Sequence, residues 1–173
     1  GQGHQGSRHT RGIMKALAEF PVPLRRQIRN VLCDIDDTLT SHGRLEAKAY
    51  AALERLEAAG IPCAVGSSTP RANIDLVMEL TGLRKFFREI VAAEDVKRGK
   101  PDPEVFQQGA RRLGFPSNQS VVFEDAHVGI EAARRGGMKV VGVATTHSKA
   151  SLNADRVVHR LDELHPADCA KLL

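Results

Sequence analysis

Two spacings of apolar residues alternate along this chain. In some segments apolar residues recur every three or four positions, which lines one face of a helix, and in others they form short unbroken runs typical of buried strands. The short runs predict strands at residues 31–36, 61–67, 86–93, 120–124, 139–143 and 156–158. The helical spacing predicts helices at residues 44–59, 70–82, 103–113 and 128–135, and a short terminal helix from about residue 166.

Turn and capping residues support these boundaries. Gly60 stands where the first helix is expected to end. Thr69-Pro70 and Asp102-Pro103 each join a capping side chain to a proline, which favours the first position of a helix. Because strands alternate with helices, the sequence predicts an α/β fold. We expect a Rossmann-like three-layer sandwich, in which helices cover both faces of a parallel sheet.

Composition agrees with one domain and adds an uneven distribution of charge. The 173 residues are 42% apolar and 27% charged, which is ordinary for a globular domain with a core. Residues 1–30 carry a net charge of +5 and the rest −1, within a total of +4. We therefore expect residues 1–28 to be a basic extension and residues 29–173 to be the domain. Residues 1–13 differ in composition from the rest, so a vector-derived leader before a natural start at Met14 is one interpretation.

The extension itself has two interpretations, a solvated tail or a segment that binds an acidic partner or nucleic acid. Nucleic-acid binding is not expected, because one Tyr and no Trp leave few rings for stacking on bases. The three cysteines are scattered, which is typical of reduced thiols, and no apolar stretch reaches the roughly 18 residues of a membrane span. We therefore expect a cytoplasmic protein without a membrane segment.

Candidate chemistry begins directly after the first apolar run. Asp34, Asp36 and Asp37 follow residues 31–33. Three acids this close together repel one another, so they need a solvated turn or a bound cation. If the strand extends over residues 31–36, its two-residue period places Asp34 and Asp36 on one face, at the carboxyl end of the sheet where open α/β sheets bind ligands.

Three apolar residues followed by Asp34, Asp36 and Thr38 resemble the first motif of the haloacid dehalogenase superfamily of phosphohydrolases. Counterparts of the other three motifs follow in the order typical of that superfamily, and the resemblance covers about residues 29–173. These counterparts are Ser67 after an apolar run, Lys100 before Pro-Asp-Pro, and the acidic pair Glu124-Asp125. The first half of the chain looks more like sugar-phosphate phosphatases, and the second half like the beta-phosphoglucomutase and phosphoglycolate phosphatase type.

The resemblance implies a role for each motif residue. Asp34 would be the nucleophile that forms an aspartyl-phosphate, and it would also bind Mg²⁺. Asp36 would protonate the leaving alcohol and later activate water, while its backbone carbonyl binds the metal. Ser67 would donate a hydrogen bond to the phosphoryl group. Lys100 would also contact that group and shield the charge of Asp34.

The remaining site residues are expected around the cation and the phosphate. Asp125 would complete the metal shell, with Glu124 as a direct or water-mediated ligand. The backbone amides of Ser68 and Asp37 would line the rest of the anion site ahead of a helix. Asp37 occupies a position that is most often Gly in the family, so it departs from the pattern without removing a reactive group.

The spacing of the motifs leaves no room for the cap domain that many relatives carry. The resemblance implies a phosphatase acting on a small phosphorylated metabolite, such as a sugar phosphate or phosphoglycolate. An open site disfavours a mutase, because a lid normally excludes water. Broad activity, a macromolecular substrate, or a homo-oligomer that closes the site would each suit an open site. A phosphosugar mutase of the beta-phosphoglucomutase type, a receiver-like phospho-acceptor and a non-catalytic domain are the alternative functions.

Overall fold

A computed structural model describes residues 29–41 and 44–167 of the protein. The predicted basic extension, residues 1–28, lies outside the described residues. The predicted terminal helix begins at residue 166 as expected, but from residue 168 onward it also lies outside them. The described strands are β1 Asn30–Cys33, β2 Thr40–Ser41, β3 Arg44–Leu45, β4 Cys63–Gly66, β5 Phe87–Val91, β6 Ser120–Glu124, β7 Lys139–Val143 and β8 Arg156–Val158. The longer described helices are α1 Ala47–Ala58, α2 Arg71–Thr81, α3 Glu104–Leu113 and α4 His127–Arg135.

Six strands form one sheet in the order β5-β4-β1-β6-β7-β8, and every neighbouring pair is parallel. The chain moves outward from β1 to β4 and β5 on one side and then to β6, β7 and β8 on the other. The order therefore reverses beside β1, and this is the place where open α/β sheets form a ligand crevice at the carboxyl ends of their strands. The predicted Rossmann-like α/β fold is confirmed.

Helices pack on both faces of the sheet and bury two apolar cores. The alternation within β1 separates them, because Val31 and Cys33 belong to one core and Leu32 belongs to the other. The first core takes Leu53 from α1, and the second takes Phe106 from α3. The three layers thus hold the strand ends rigidly, which positions the polar residues that follow them.

The first strand is shorter than predicted. It ends at Cys33, so Asp34 and Asp36 do not lie on one face of a strand running to residue 36. Pairing with both neighbours stops at Cys33, although the Asp34 amide still donates to the Phe123 carbonyl at 3.0 Å. The chain then turns around Ile35, whose carbonyl accepts three later backbone amides. Asp34 stays buried at the sheet edge, whereas Asp36, within the turn, is exposed.

Both prolines expected at the first position of a helix stand one residue earlier. Pro70 and Pro103 are the capping residues, and α2 and α3 begin at Arg71 and Glu104. At the start of α3, Asp102 Oδ1 accepts the Glu104 amide at 3.0 Å, as its predicted capping role requires. At the start of α2 the acceptor comes from outside the helix, because Glu94 Oε2 accepts the Arg71 amide at 3.0 Å.

The segment before α1 also differs from its prediction. Residues 44–45 pair antiparallel with residues 40–41 as a small hairpin, so the helix starts at Ala47. Between β1 and β4 the described residues contain this hairpin and α1, and no inserted domain. None of the described helices has the length and apolar character needed to cross a bilayer.

Candidate active site

Three strand ends meet where the strand order reverses. Asp34 follows β1, Ser67 follows β4, and Glu124 and Asp125 lie at the end of β6. Because these strands are adjacent and parallel, their carboxyl ends share one edge of the sheet. The structure therefore brings together side chains that are as far as 91 positions apart in the sequence.

Lys100 joins two of these carboxylates. Its Nζ donates to Asp34 Oδ1 and to Glu124 Oε2, each at 2.7 Å. The Lys100 side chain is only 7% exposed, and the Glu124 side chain is 1% exposed. Burial alone would lower the pKa of Lys100, but the two carboxylates outweigh that effect and raise it. This lysine therefore carries a positive charge inside the site.

One lysine does not neutralise the acids around it. Burial raises the pKa of Asp34 in spite of the attraction of Lys100, and the charges of Asp125 and Asp36 raise it further. Burial, together with the charge of Asp34, raises the pKa of Glu124 to about 7. Burial and the neighbouring acids therefore destabilise the charged form of both carboxyls by more than Lys100 stabilises it. A bound cation would restore the balance, so this is the electrostatic setting of a cation site.

Asp125 is held by two hydroxyl groups. Thr38 Oγ1 donates to its Oδ1 at 3.1 Å, and Thr146 Oγ1 donates to its Oδ2 at 2.6 Å. Glu124 is held by the backbone, because its Oε1 accepts the amides of Asp125 and Ala126 at 3.0 Å each. These bonds fix the orientation of both acids before any ligand arrives.

The donor set fits a hard divalent cation. Ligand oxygens of Asp34, Glu124 and Asp125 all lie within 4.8 Å of one another, and all three residues are buried. Mg²⁺ prefers carboxylate and water oxygens, and it is commonly held by one or two carboxylates in phosphate-handling sites. The side chains predicted as metal ligands are thus assembled, with the exception of Asp36, whose predicted contribution is its backbone carbonyl.

Glycine at position 129 makes room for Glu124. A Cβ on Gly129 would lie 1.9 Å from Glu124 Oε2 and 2.1 Å from its Cδ. Such an overlap cannot be accommodated without moving the carboxylate away from Lys100 or moving α4 away from the sheet. Neither the apolar spacing nor the motifs indicated this contact, since it depends on how closely a helix approaches a strand.

We expect Gly129→Ala to lower the free energy of unfolding by about 1–3 kcal/mol and the activity by about tenfold or more. The added methyl group would displace Glu124, which accepts a hydrogen bond from Lys100. Urea unfolding and phosphate release measure the two effects. Gly99→Ala is the matched control, since a Cβ at Gly99 meets nothing within 4 Å. A Gly129→Ala variant as stable and as active as the control would contradict the tight packing of Glu124.

The other predicted phosphate ligands follow β1 and β4, two adjacent strands of the sheet. Ser67 is buried, and its Oγ accepts the Thr69 amide at 3.2 Å, so its own proton is available for another acceptor. Ser68 is exposed in the loop that follows. Asp37 has φ 57°, the left-handed region that Gly adopts most easily, and its carbonyl accepts a hydrogen bond from Thr145 Oγ1. The predicted phosphate contacts of the Ser68 and Asp37 amides stay predictions.

Asp36 is exposed, unlike the buried Asp34, Glu124 and Asp125. Its Oδ2 accepts a hydrogen bond of 2.6 Å from Thr69 Oγ1. Thr38, Thr69 and Thr146 each donate a hydrogen bond to a motif acid, and the sequence did not predict these contacts. Thr38 belongs to the first motif and Thr69 was expected to cap a helix, whereas Thr146 has no signal beyond its position just after a strand.

Comparisons with known proteins identify the family of the chain. The sequence profile of the family described as haloacid dehalogenase-like hydrolase matches residues 14–143. A chloroplastic 5-amino-6-(5-phospho-D-ribitylamino)uracil phosphatase of Arabidopsis thaliana is 47% identical over 113 residues, which are 65% of this chain and 30% of the relative. A fructose-1-phosphate phosphatase of Escherichia coli is 45% identical over 82 residues, which are 47% of this chain and 44% of the relative. The chain therefore spans less than half the length of these two relatives.

The fold is similar to that of CbbY from Rhodobacter sphaeroides, solved in complex with phosphate. The TM-score is 0.73 at 19% sequence identity, and the match covers 82% of this chain and 99% of that one. At this identity the likeness is one of fold. The family resemblance that the four motifs indicated is confirmed by the profile match.

Proposed function

Because this chain belongs to the haloacid dehalogenase-like hydrolases, we propose that it is a Mg²⁺-dependent phosphomonoester hydrolase that works through a phosphorylated Asp34. The observation that carries the proposal is the buried Lys100, hydrogen-bonded at 2.7 Å to both Asp34 and Glu124, two of the three acids whose ligand oxygens lie within 4.8 Å of one another. A phosphate monoester is an anion, so a carboxylate can approach it only where positive charge offsets the repulsion. Lys100 supplies part of that charge.

A divalent cation held by Asp34, Glu124 and Asp125, with the backbone carbonyl of Asp36, would supply the rest and draw charge from the phosphoryl oxygens. The residues of the chain perform the remaining work. In the first step a carboxylate oxygen of Asp34 bonds to phosphorus while the bond from phosphorus to the leaving oxygen breaks. Asp36 gives its proton to that oxygen, and the alcohol departs.

In the second step water attacks the phosphorus of the Asp34 phosphate. Asp36, now a carboxylate, takes a proton from the water as the bond between phosphorus and Asp34 breaks. Inorganic phosphate leaves, and both acids return to their starting forms. Ser67 donates its hydroxyl proton to a phosphoryl oxygen in each step, and the Ser68 and Asp37 amides complete the anion site.

We expect the substrate to be a phosphorylated sugar or polyol. The relatives support this class, since the names of two of them specify a phosphorylated ribityl chain and fructose 1-phosphate. Phosphate release from fructose 1-phosphate, ribitol 5-phosphate, phosphoglycolate and an aryl phosphate tests it. Preference for the two polyhydroxylated esters supports the class, whereas preference for phosphoglycolate contradicts it.

Metal dependence gives an independent test. Mg²⁺ at a hundredfold excess over its Kd should raise the Tm by about 5–10 °C, because binding to the folded state adds roughly 2.7 kcal/mol. Chelation should remove both the shift and the phosphate release. Asp125→Asn should lose most of the shift, and Asp75→Asn, on the exposed face of α2, should keep it. A Tm that Mg²⁺ does not change in the native protein would contradict the cation site.

The open site favours a hydrolase over a phosphosugar mutase. Among the described residues no domain lies between β1 and β4 to cover Asp34, so water can reach its phosphate. The same openness leaves room for a second copy of the chain to close the site, which a measurement of oligomeric state with and without substrate would test.

A cytoplasmic location stays a prediction, supported by Cys33 and Cys63 as buried thiols.

A further inference from the structure

Thr69 contacts two of the proposed reactive residues at once. Its amide donates to Ser67 Oγ at 3.2 Å, and its hydroxyl donates to Asp36 Oδ2 at 2.6 Å. The second contact bridges 33 positions of sequence and joins the turn after β1 to the loop after β4. We infer that Thr69 is a positioning residue for Asp36, holding the carboxyl group that transfers the proton in both steps.

The backbone around Thr69 is anchored, so its hydroxyl has a defined place. The Ala93 amide donates to the Thr69 carbonyl at 3.1 Å, and the Ser67 amide donates to the Val91 carbonyl at 3.0 Å. Both bonds tie the loop to the chain at the end of β5. Asp36 is exposed and lies on a turn, and a carboxylate in such a setting would otherwise sample several rotamers. Thr69 selects one of them.

The direction of the bond also assigns the two oxygens of Asp36. A threonine hydroxyl has one proton, and an ionised carboxylate can only accept, so Thr69 donates and Oδ2 accepts. The other oxygen, Oδ1, is then the one that carries the proton to the leaving alcohol. The Thr69 amide meanwhile occupies a lone pair of Ser67 Oγ and leaves the Ser67 proton for the phosphoryl group. One residue thus orients the groups that bind phosphate and protonate the product.

This role rests on the proposed function, because it requires Asp36 as the proton donor. Its test compares leaving groups. An alkoxide needs the proton from Asp36 as the ester bond breaks, whereas an aryl oxide is a stable anion and needs it much less. Misplacing Asp36 should therefore slow hydrolysis of fructose 1-phosphate more than hydrolysis of p-nitrophenyl phosphate. A loss of stability or of metal would slow both to the same extent.

Thr69→Val keeps the shape of the side chain and removes its hydrogen bond. We expect its kcat to fall about tenfold or more on fructose 1-phosphate and less than about threefold on p-nitrophenyl phosphate. Thr69→Ser retains a hydroxyl and should restore most of the loss. Thr81→Val is the matched control, because the Thr81 hydroxyl bonds only within α2, to the Val77 carbonyl, away from the site. Thermal unfolding of each variant confirms that it is folded.

The outcomes separate this inference from the proposed function. Equal losses on the two esters, no loss in Thr69→Val, or a Thr69→Ser variant as slow as Thr69→Val would each overturn the positioning role while native activity stands. A native protein that hydrolyses neither ester, or an Asp36→Asn variant with full activity on fructose 1-phosphate, would overturn the function and the positioning role together. The expected result is a selective loss that serine rescues.

Discussion

Asp34→Asn should reduce phosphate release by about 10⁴-fold or more, because an amide cannot attack phosphorus to form the covalent intermediate. The change is nearly isosteric, and the carbonyl oxygen of the introduced amide can still accept the bond that Lys100 gives to Asp34 Oδ1. It also removes one buried negative charge from a group whose pKa burial raises. We therefore expect the variant to be folded, with a Tm equal to or above that of the native protein without metal.

Steady-state phosphate release with Mg²⁺ measures the effect, and thermal unfolding checks the fold. Asp75→Asn makes the same exchange at an exposed position of α2 and should retain native activity. Residual activity of Asp34→Asn above a hundredth of the native rate, in protein shown by mass spectrometry to be free of the native chain, would exclude Asp34 as the nucleophile.

Lys100→Met should impair both activity and stability. Without its charge, the site loses the cation that bridges Asp34 and Glu124, and phosphate release should fall about 10²–10³-fold. Breaking a buried ion pair by removing one partner typically costs about 3–5 kcal/mol, because the remaining charge stays buried without compensation. Here two carboxylates lose their partner, so we expect a loss in this range for the metal-free protein.

The loss of stability should depend on pH in a defined direction. The pKa of Glu124 is about 7 in the folded protein and 4.5 in its ordinary state, so folding favours the protonated form. Such a carboxyl costs stability as the pH rises from about 4.5 through 7. Lys100 limits that cost in the native protein, and Lys100→Met removes the limit. The difference in free energy of unfolding between the native protein and Lys100→Met should therefore be larger at pH 8 than at pH 5.

Urea unfolding of metal-free protein at these two pH values measures this difference. Lys100→Arg keeps the charge and should recover part of the stability, and Lys97→Met makes the same exchange at an exposed position of the same loop. Mg²⁺ should partly stabilise Lys100→Met, since it supplies positive charge to the same acids. Equal stability of Lys100→Met and Lys97→Met at pH 8 would contradict the buried charge pairing.

The sheet could be predicted from the sequence because its inner strands are buried on both faces and read as apolar runs. Strands β6, β7 and β8 have the predicted bounds, residues 120–124, 139–143 and 156–158. The end of β1 could not be predicted, because strand length here depends on how far both neighbouring strands continue to pair. The hairpin before α1 was also missed, since two-residue strands leave no periodic pattern.

The reactive side chains were predicted through motif order, together with the proximity of Lys100 to Asp34, and their other contacts were not. Lys100 lies 66 positions from Asp34 and 24 from Glu124, and nothing local predicts that its ammonium group bonds to both. The contacts of Thr69 with Asp36 and of Thr146 with Asp125 bridge 33 and 21 positions. They follow from the meeting of parallel strand ends at one sheet edge, a property of the assembled fold. The motifs name the reactive groups, and the fold supplies the residues that hold them.

A covalent phosphate on Asp34 is tested most directly by rapid-quench mass spectrometry. Native protein is mixed with Mg²⁺ and excess fructose 1-phosphate, stopped in acid within the first turnover, digested, and searched for a phosphorylated acyl group. We predict a phosphate on the peptide containing Asp34 that appears before inorganic phosphate, decays once substrate is exhausted, and is absent from Asp34→Asn. Release of inorganic phosphate without any phosphorylated peptide, or with the phosphate on another residue, would contradict the account.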